Sequence, residues 1–359
     1  MRAAIKRDGQ IVHDTVADPE PGSGQVLVET LACGICGSDL HALTDGAVFA
    51  DIHRRAGVDN PMDATKDIVF GHEFAAAILD YGPDTLRRMK PGTLVTSIPR
   101  LLDSSGAHFI GFSHTATGGY AQRMLLSEAL LLEVPPGLAA ADAALTEPFA
   151  VGEHAVAAAD LGHAAGALVI GCGPVGLAVI AALKARGFGP VVAADFASGR
   201  RALAESFGAD ATIDPASESP HRCWQDLAIP PTQAARHRLL DTGMLPGRAV
   251  IFECVGARGV IGALIDAAPA SAQIVVVGIC VLDDLFVPAA AIAKQIELRF
   301  VLNYSQTEFA ATLANIASGA IDAGLSVTSR IGLNQVADAF AALAMPDQQA
   351  KVIIEPNRR

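Results

Sequence analysis

The sequence predicts an α/β protein of two domains, one mostly β and one a doubly wound parallel sheet. Three observations lead there. A chain of 359 residues is longer than one core comfortably fills. Strand-like segments follow one another without helices up to about Gly152, and from there strands and helices alternate, which calls for a parallel sheet. Within that second part, the apolar run 167–170 leads into Gly171-Cys172-Gly173-Pro174-Val175-Gly176 and then into an apolar helix pattern. With 51% hydrophobic and 18% charged residues, the chain can bury large cores and is not globally disordered.

In chain order, residues 1–5 and 25–32 read as strands, punctuated by Pro19, Pro21, Gly22 and Gly24. Strands are also expected over 68–80, interrupted by Gly71-His72-Glu73, and over 93–98 after a Pro-Gly turn. In the second part, 167–170, 191–194, 250–253 and 274–277 are strands, with helices over 174–186, 199–207 and 259–268. The tail has strands at 297–302 and 351–355 and helices at 306–318 and 333–343, and is expected to return to the first domain. The expected division is therefore 1–149 with 295–359, and 150–294. Residues 215–247 show no period and receive no assignment.

A net charge of −12 argues against a nucleic-acid partner. The start, MRAAIKRDGQIVHD, lacks the apolar region of a secretory signal, and no apolar run of about 20 residues reads as a membrane span. Six cysteines without small-domain spacing suit reduced thiols, so a cytoplasmic setting and no membrane partner are expected.

The glycine motif carries the clearest chemistry. Gly171, Gly173 and Gly176 let the backbone turn and approach a pyrophosphate, while Pro174 and Val175 open a helix whose free N–H groups favour an anion. Asp195 ends the next strand about 20 residues on, where it can accept both ribose hydroxyls and repel a 2′-phosphate. This is a dinucleotide-binding (Rossmann) pattern that favours NAD over NADP. Arg200 and Arg201 follow closely; they could line the adenosine end or only cover a helix surface.

Cys33-Gly34-Ile35-Cys36 resembles a C-x-x-C pair, but no second pair exists to complete a structural zinc site. Another possibility is one cysteine joined by distant ligands. Cys36, His72 and Glu147 would supply thiolate, imidazole and carboxylate with a position left open, as a catalytic zinc requires. Spacing alone does not decide this, since buried Cys, His and helix-start Glu are common structural residues.

Taken together, CGICGSDLH, GHE, Gly118-Gly119-Tyr120-Ala121-Gln122, TEP, GCGPVG and the strand-end Asp195 resemble, in order, the medium-chain dehydrogenase/reductase family. The resemblance covers nearly the whole chain. Thr146-Glu147-Pro148 followed by Val151-Gly152-Glu153-His154-Ala155 is most similar to its sorbitol and butanediol dehydrogenase branch. The resemblance implies a GroES-like catalytic domain beside the Rossmann domain, and a homodimer or homotetramer. It also implies one catalytic zinc on Cys36, His72 and Glu147, with Glu73 a neighbour able to exchange with water at the metal. Asp39 would orient a ligand, and Ser38 and His41 would relay the alcohol proton outward, against the plainer readings of a capping serine and a surface histidine.

Two departures stand out. Where the family often carries four cysteines for a structural zinc, residues 100–108 read RLLDSSGAH, so no structural zinc is expected. The segment 44–67 is long and could cover the substrate entrance or form a surface insertion.

The implied reaction is oxidation of a small secondary alcohol or polyol. Zinc would lower the hydroxyl pKa and NAD would accept the hydride. Glu147 in place of a thiolate makes the site harder, which suits a chelating diol. Two rivals stay open: a zinc-free quinone or enone reductase of the same superfamily, and a non-catalytic NAD-binding protein.

Overall fold

The computed structural model describes residues 1–343 and 350–358. It divides into two compact units, Met1–Glu147 with Phe309–Arg359, and Pro148–Glu308.

The first unit opens with the hairpin β1 (Arg2–Arg7) and β2 (Gln10–Thr15). β3 (Gln25–Gly34) leads to α1 (Gly37–Thr44), α2 (Gly46–Arg55) and β4 (Glu73–Tyr81). β5 (Leu94–Ser97) precedes a second hairpin, β6 (Arg100–Asp103) and β7 (Gly106–Phe109). β8 (Arg123–Ser127), β9 (Leu131–Glu133) and α3 (Ala140–Ala144) follow, and α4 (Thr146–Ala157) carries the chain into the second unit.

There, β10 (Ala164–Ile170), α5 (Pro174–Ala185), β11 (Val191–Ala194), α6 (Ser198–Ser206) and β12 (Ala211–Ile213) form one half. After two short helices, α7 (Cys223–Asp226) and α8 (Gln233–Asp241), the other half comprises β13 (Arg248–Glu253), α9 (Val260–Ala267), β14 (Gln273–Val276), α10 (Pro288–Lys294) and β15 (Glu297–Phe300). The chain returns through α11 (Gln306–Ala317), β16 (Val327–Ile331), α12 (Val336–Leu343) and β17 (Lys351–Ile354).

The second unit holds a six-stranded parallel sheet in the order β12-β11-β10-β13-β14-β15. Its central strands are apolar over β10 and over 249–252 of β13, as suits a parallel sheet buried on both faces, with Arg248 and Glu253 at the two ends of β13. α5 buries every residue from Gly176 to Leu183, and Pro174 occupies its first position, where no N–H is needed. The first unit's main sheet runs β16-β17-β3-β4-β5-β9, with β8 also paired to β3. β3 is its longest strand, and its neighbours bring Cys33, Gly34 and Glu73 together: Gly34 pairs with Glu73 across the β3–β4 ladder.

Two expectations need correction. Residues 297–300 do not begin the return to the first domain. As β15 they close the parallel sheet beside β14, and the second unit runs to Glu308 rather than 294. A strand's own pattern does not say which sheet it joins. The unassigned stretch 215–247 contains α7 and α8, and its Trp224 packs into the sheet core with Leu168, Ile251 and Ile274. Among the described residues, no helix is long and apolar enough to cross a membrane.

Candidate active site

Cys36 ends the loop after β3 and sits just before α1, while His72 immediately precedes β4. This brings ligand atoms of Cys36, His72 and Glu73 within 4.8 Å of one another, a group of mixed sulfur, nitrogen and oxygen donors. Cys33 is the other half of the C-x-x-C, but it is fully buried, and burial with the neighbouring Asp39 and Glu73 pushes its thiol far up. It is therefore an inert core thiol, which leaves Cys36 as the sulfur donor.

Asp39, fully buried in α1, sets the orientation of this site. Its Oδ2 accepts from the Cys36 backbone N–H at 3.0 Å and from the Tyr120 hydroxyl at 2.7 Å. Its Oδ1 faces His72 Nδ1 at 3.3 Å, and neither of these buried atoms has a formed hydrogen bond. A metal on Nε2 would fix the proton on Nδ1 and give Asp39 Oδ1 its donor, so the orphaned pair fits a zinc ligand and its supporting carboxylate. Burial pushes the His72 imidazole down, but the Asp39 carboxylate and Cys36 sulfur more than offset this and hold it well above its usual range.

Glu73 is fully buried and paired with Lys351, whose ammonium lies 2.6 and 2.7 Å from its two carboxylate oxygens and 3.0 Å from the Ile35 carbonyl. Lys351 is buried as well. Burial lowers its pKa, yet the charges of Glu73, Cys36 and Glu147 raise it overall. Glu147 is buried in the first turn of α4, within electrostatic reach of this lysine. The group defined by the 4.8 Å separation thus includes Glu73 and not Glu147.

Ser38 and His41 lie three residues apart in α1 and share a face, both half-buried. Ser38 is inside the helix and Cys36 holds the capping position, so the capping reading of this serine fails.

In the second unit, β10 ends at Ile170, and Gly171 turns the chain with φ +91°. Gly176 lies so close to that turn that a Cβ there would sit 1.9 Å from the Gly171 carbonyl oxygen. Gly173 precedes Pro174 and Val175 at the start of α5, where free N–H groups and the helix dipole face outward. Asp195 follows β11. Its Oδ2 accepts from the Cys172 N–H at 2.8 Å and its Oδ1 from the Ala197 N–H at 2.9 Å. Each oxygen keeps a lone pair for a further donor. Arg200 Nη1 stands 4.0 Å from Asp195 Oδ2, with its Nε buried and unbonded. Arg201 instead donates to the Asp195 and Phe196 carbonyls and pairs with Asp214, a structural role.

The sequence-based reading missed three site residues. Tyr120 lay in a quoted motif without a role. Lys351 was visible as a charge opening an otherwise apolar strand. Phe112, whose ring centroid lies 5.1 Å from that of His72, carried no local signal.

Comparison with known proteins agrees with this geometry. Residues 22–136 match the model of the alcohol dehydrogenase GroES-like domain, and residues 174–318 that of zinc-binding dehydrogenases. The chain is 29% identical to an (R,R)-butanediol dehydrogenase of Bacillus subtilis, covering 98% of each protein. It is 28% identical to the sorbitol dehydrogenase of Homo sapiens, covering 95% of this chain and 91% of that one. A crystal structure of 2R,3R-butanediol dehydrogenase from Bacillus subtilis superposes with a TM-score of 0.78 at 27% identity, covering 99% of both chains.

Proposed function

The chain belongs to the zinc-dependent medium-chain dehydrogenase/reductase family, in its sorbitol and butanediol dehydrogenase-like branch, and on that premise we propose that it oxidises a secondary alcohol or vicinal diol to the ketone with one zinc and NAD. The observation that carries the reading is the close approach of the Cys36 and His72 ligand atoms, with Asp39 behind His72. Bound zinc would supply the Lewis acidity that lowers the substrate hydroxyl pKa, and bound NAD the acceptor for the hydride.

The chain's own residues do the rest. Cys36 and His72 would hold the metal, with Glu147 as third ligand, because Glu73 already has both oxygens on Lys351. Asp39 fixes the His72 ring, and Tyr120 and the Cys36 N–H fix Asp39. Ser38 accepts the alcohol proton and passes it towards His41 on the same helix face. Gly171, Gly173 and Gly176 would admit the pyrophosphate against α5, and Asp195 would accept from the ribose hydroxyls, with Arg200 alongside. The anchored Asp195 carboxylate would repel a 2′-phosphate, which supports NAD over NADP.

A homodimer or homotetramer is proposed as well. It is supported by exposed apolar side chains near the open edge of β15: Leu285, Val287, Ile292, Phe300 and Leu302. Six unpaired cysteines fit a reducing, cytoplasmic setting.

The test is metal analysis of purified protein with NADH and NADPH absorbance over a panel of secondary alcohols and diols. Zinc near one per chain and NAD-linked turnover are expected. Absence of tightly bound zinc would favour the zinc-free reductase, and cofactor binding without turnover the non-catalytic protein.

A further inference from the structure

The motif Val151-Gly152-Glu153-His154-Ala155 has no part in the metal group or the dinucleotide site, yet it lies in a helix that runs from one unit into the other. The boundary falls inside α4, after Glu147. Pro148 does not break this helix, because it stands in the first turn, where a missing N–H has no partner to lose. Glu147 and Gly152 are therefore joined by about one and a half turns of continuous helix.

Beyond Glu147, α4 is fixed to α5, whose start belongs to the dinucleotide site. A Cβ on Gly152 would lie 2.4 Å from the Ala178 carbonyl carbon, so the two helix backbones approach with no side chain between them. Beside this contact, the Glu153 carboxylate accepts from both outer nitrogens of Arg186, the residue that caps the end of α5, with Nη1 at 2.8 Å from Oε2. Such a forked pair fixes orientation as well as distance.

The rest of α4 is held in the second unit too. His154 Nδ1 donates to Glu308 Oε1 at 3.0 Å, while Glu308 Oε2 accepts from the Ser305 N–H and hydroxyl at 2.7 and 2.8 Å. Arg299 of β15 donates to the Ala158 carbonyl at 2.6 Å, just past the end of α4. With these anchors, α4 and α5 move as one body.

We propose that α4 couples the two sites: a dinucleotide that fixes α5 at its glycine turn also fixes Glu147 and so tightens zinc binding, with Glu153 and Arg186 as the positioning pair. The inference rests on the function proposed above, which takes Glu147 as a zinc ligand. Pyrophosphate at the start of α5 narrows the positions that helix can take. Locked to it, α4 passes the restriction to Glu147, so the metal meets a carboxylate already ordered in part by the cofactor. The effect is mutual, because linkage requires zinc to tighten the dinucleotide by the same factor.

Zinc affinity is measured by competition with a chromophoric chelator, with and without saturating ADP-ribose. ADP-ribose affinity is measured by calorimetry with and without zinc. This probe keeps the adenosine, pyrophosphate and ribose but lacks the nicotinamide ring, so no effect of the ring on the metal enters. Each ligand is expected to tighten the other by about tenfold, equally in both directions. Arg186→Gln should cut that factor to less than about threefold, with each ligand alone binding within about threefold of wild type. The double variant Glu153→Gln with Arg186→Gln leaves no uncompensated charge and should behave alike. A purely structural role for the pair would weaken folding or both affinities and leave the factor intact. Binding of both ligands without mutual effect, or a full factor in both variants, overturns this inference alone. Protein that holds no zinc overturns it together with the proposed function.

Discussion

Lys351 and Glu73, 278 residues apart, meet in the interior of the first unit, the ammonium within 2.7 Å of both carboxylate oxygens. Both side chains are essentially inaccessible to water. Removing one partner of such a pair leaves a buried charge uncompensated and costs about 3–5 kcal/mol. Lys351→Met should therefore lower unfolding stability by about that amount in chemical denaturation. Adding Glu73→Gln should recover much of the loss, since the double variant buries no charge at this place. A double variant as unstable as the single would show that packing of the lysine stem, and not the ion pair, holds the site.

Asp39 is the residue on which the metal group turns, because one carboxylate addresses His72, the Cys36 backbone and Tyr120. Asp39→Asn can still accept at one oxygen, but its amide group cannot accept and its charge is gone. Zinc affinity, measured by competition with a chromophoric chelator, should fall about 10–100-fold. Tyr120→Phe removes only one donor to Asp39 and should produce a smaller loss. Unchanged affinity in Asp39→Asn would remove Asp39 from the metal-holding machinery.

The legible parts of this molecule were those whose signal is local. Gly171, Gly173 and Gly176 announce the phosphate turn because the apolar strand before them and the helix after them are adjacent in sequence. Cys36 and His72 emerged only through combined motifs, since neither residue type is diagnostic alone. Lys351 and Glu73 could not be paired from sequence, because their contact depends on β17 and β4 flanking β3. The sheet membership of β15 was hidden for the same reason: Glu297–Phe300 looks alike in either sheet. Phe109 and Phe112 carry no local signal, because only the fold brings their rings to His72.

Gly176 permits the close turn on which the cofactor site depends. A Cβ there would lie 1.9 Å from the Gly171 carbonyl oxygen, a backbone atom that moves only with the turn itself. Gly176→Ala should distort the phosphate loop at a cost of about 1–3 kcal/mol. If that cost falls on binding, NADH titrated by its own fluorescence should bind roughly 10–100-fold more weakly. Zinc content should be unchanged, because the metal group belongs to the other unit. Wild-type NADH affinity in this variant would place the dinucleotide elsewhere.

Asp195 is held by the Cys172 and Ala197 N–H groups, so its carboxylate cannot easily turn away from a 2′-phosphate. Asp195→Ser removes the repelling charge and leaves Arg200, with its unbonded Nε, beside the adenosine end. The ratio of kcat/KM for NAD to that for NADP should fall at least tenfold, mostly through a weaker KM for NAD. An unchanged ratio would mean that Asp195 serves only to staple the glycine turn.

His221 supplies a pH-dependent term to the second unit. Its Nδ1 accepts from the Trp224 indole N–H at 3.2 Å, and burial, aided by Lys294, depresses its pKa to about 4. The unfolded chain, with an ordinary histidine, binds a proton that the folded form resists between about pH 6.5 and 4. This contribution to stability is therefore intact above pH 6.5 and is lost as the pH falls through that window, by roughly 3 kcal/mol at most. Trp224 is the single tryptophan, so its fluorescence reports both the local bond and unfolding. His221→Gln keeps an acceptor but cannot titrate, and its stability should fall less steeply between pH 6.5 and 4. Identical pH profiles for the variant and the wild type would assign the acid sensitivity to groups other than His221.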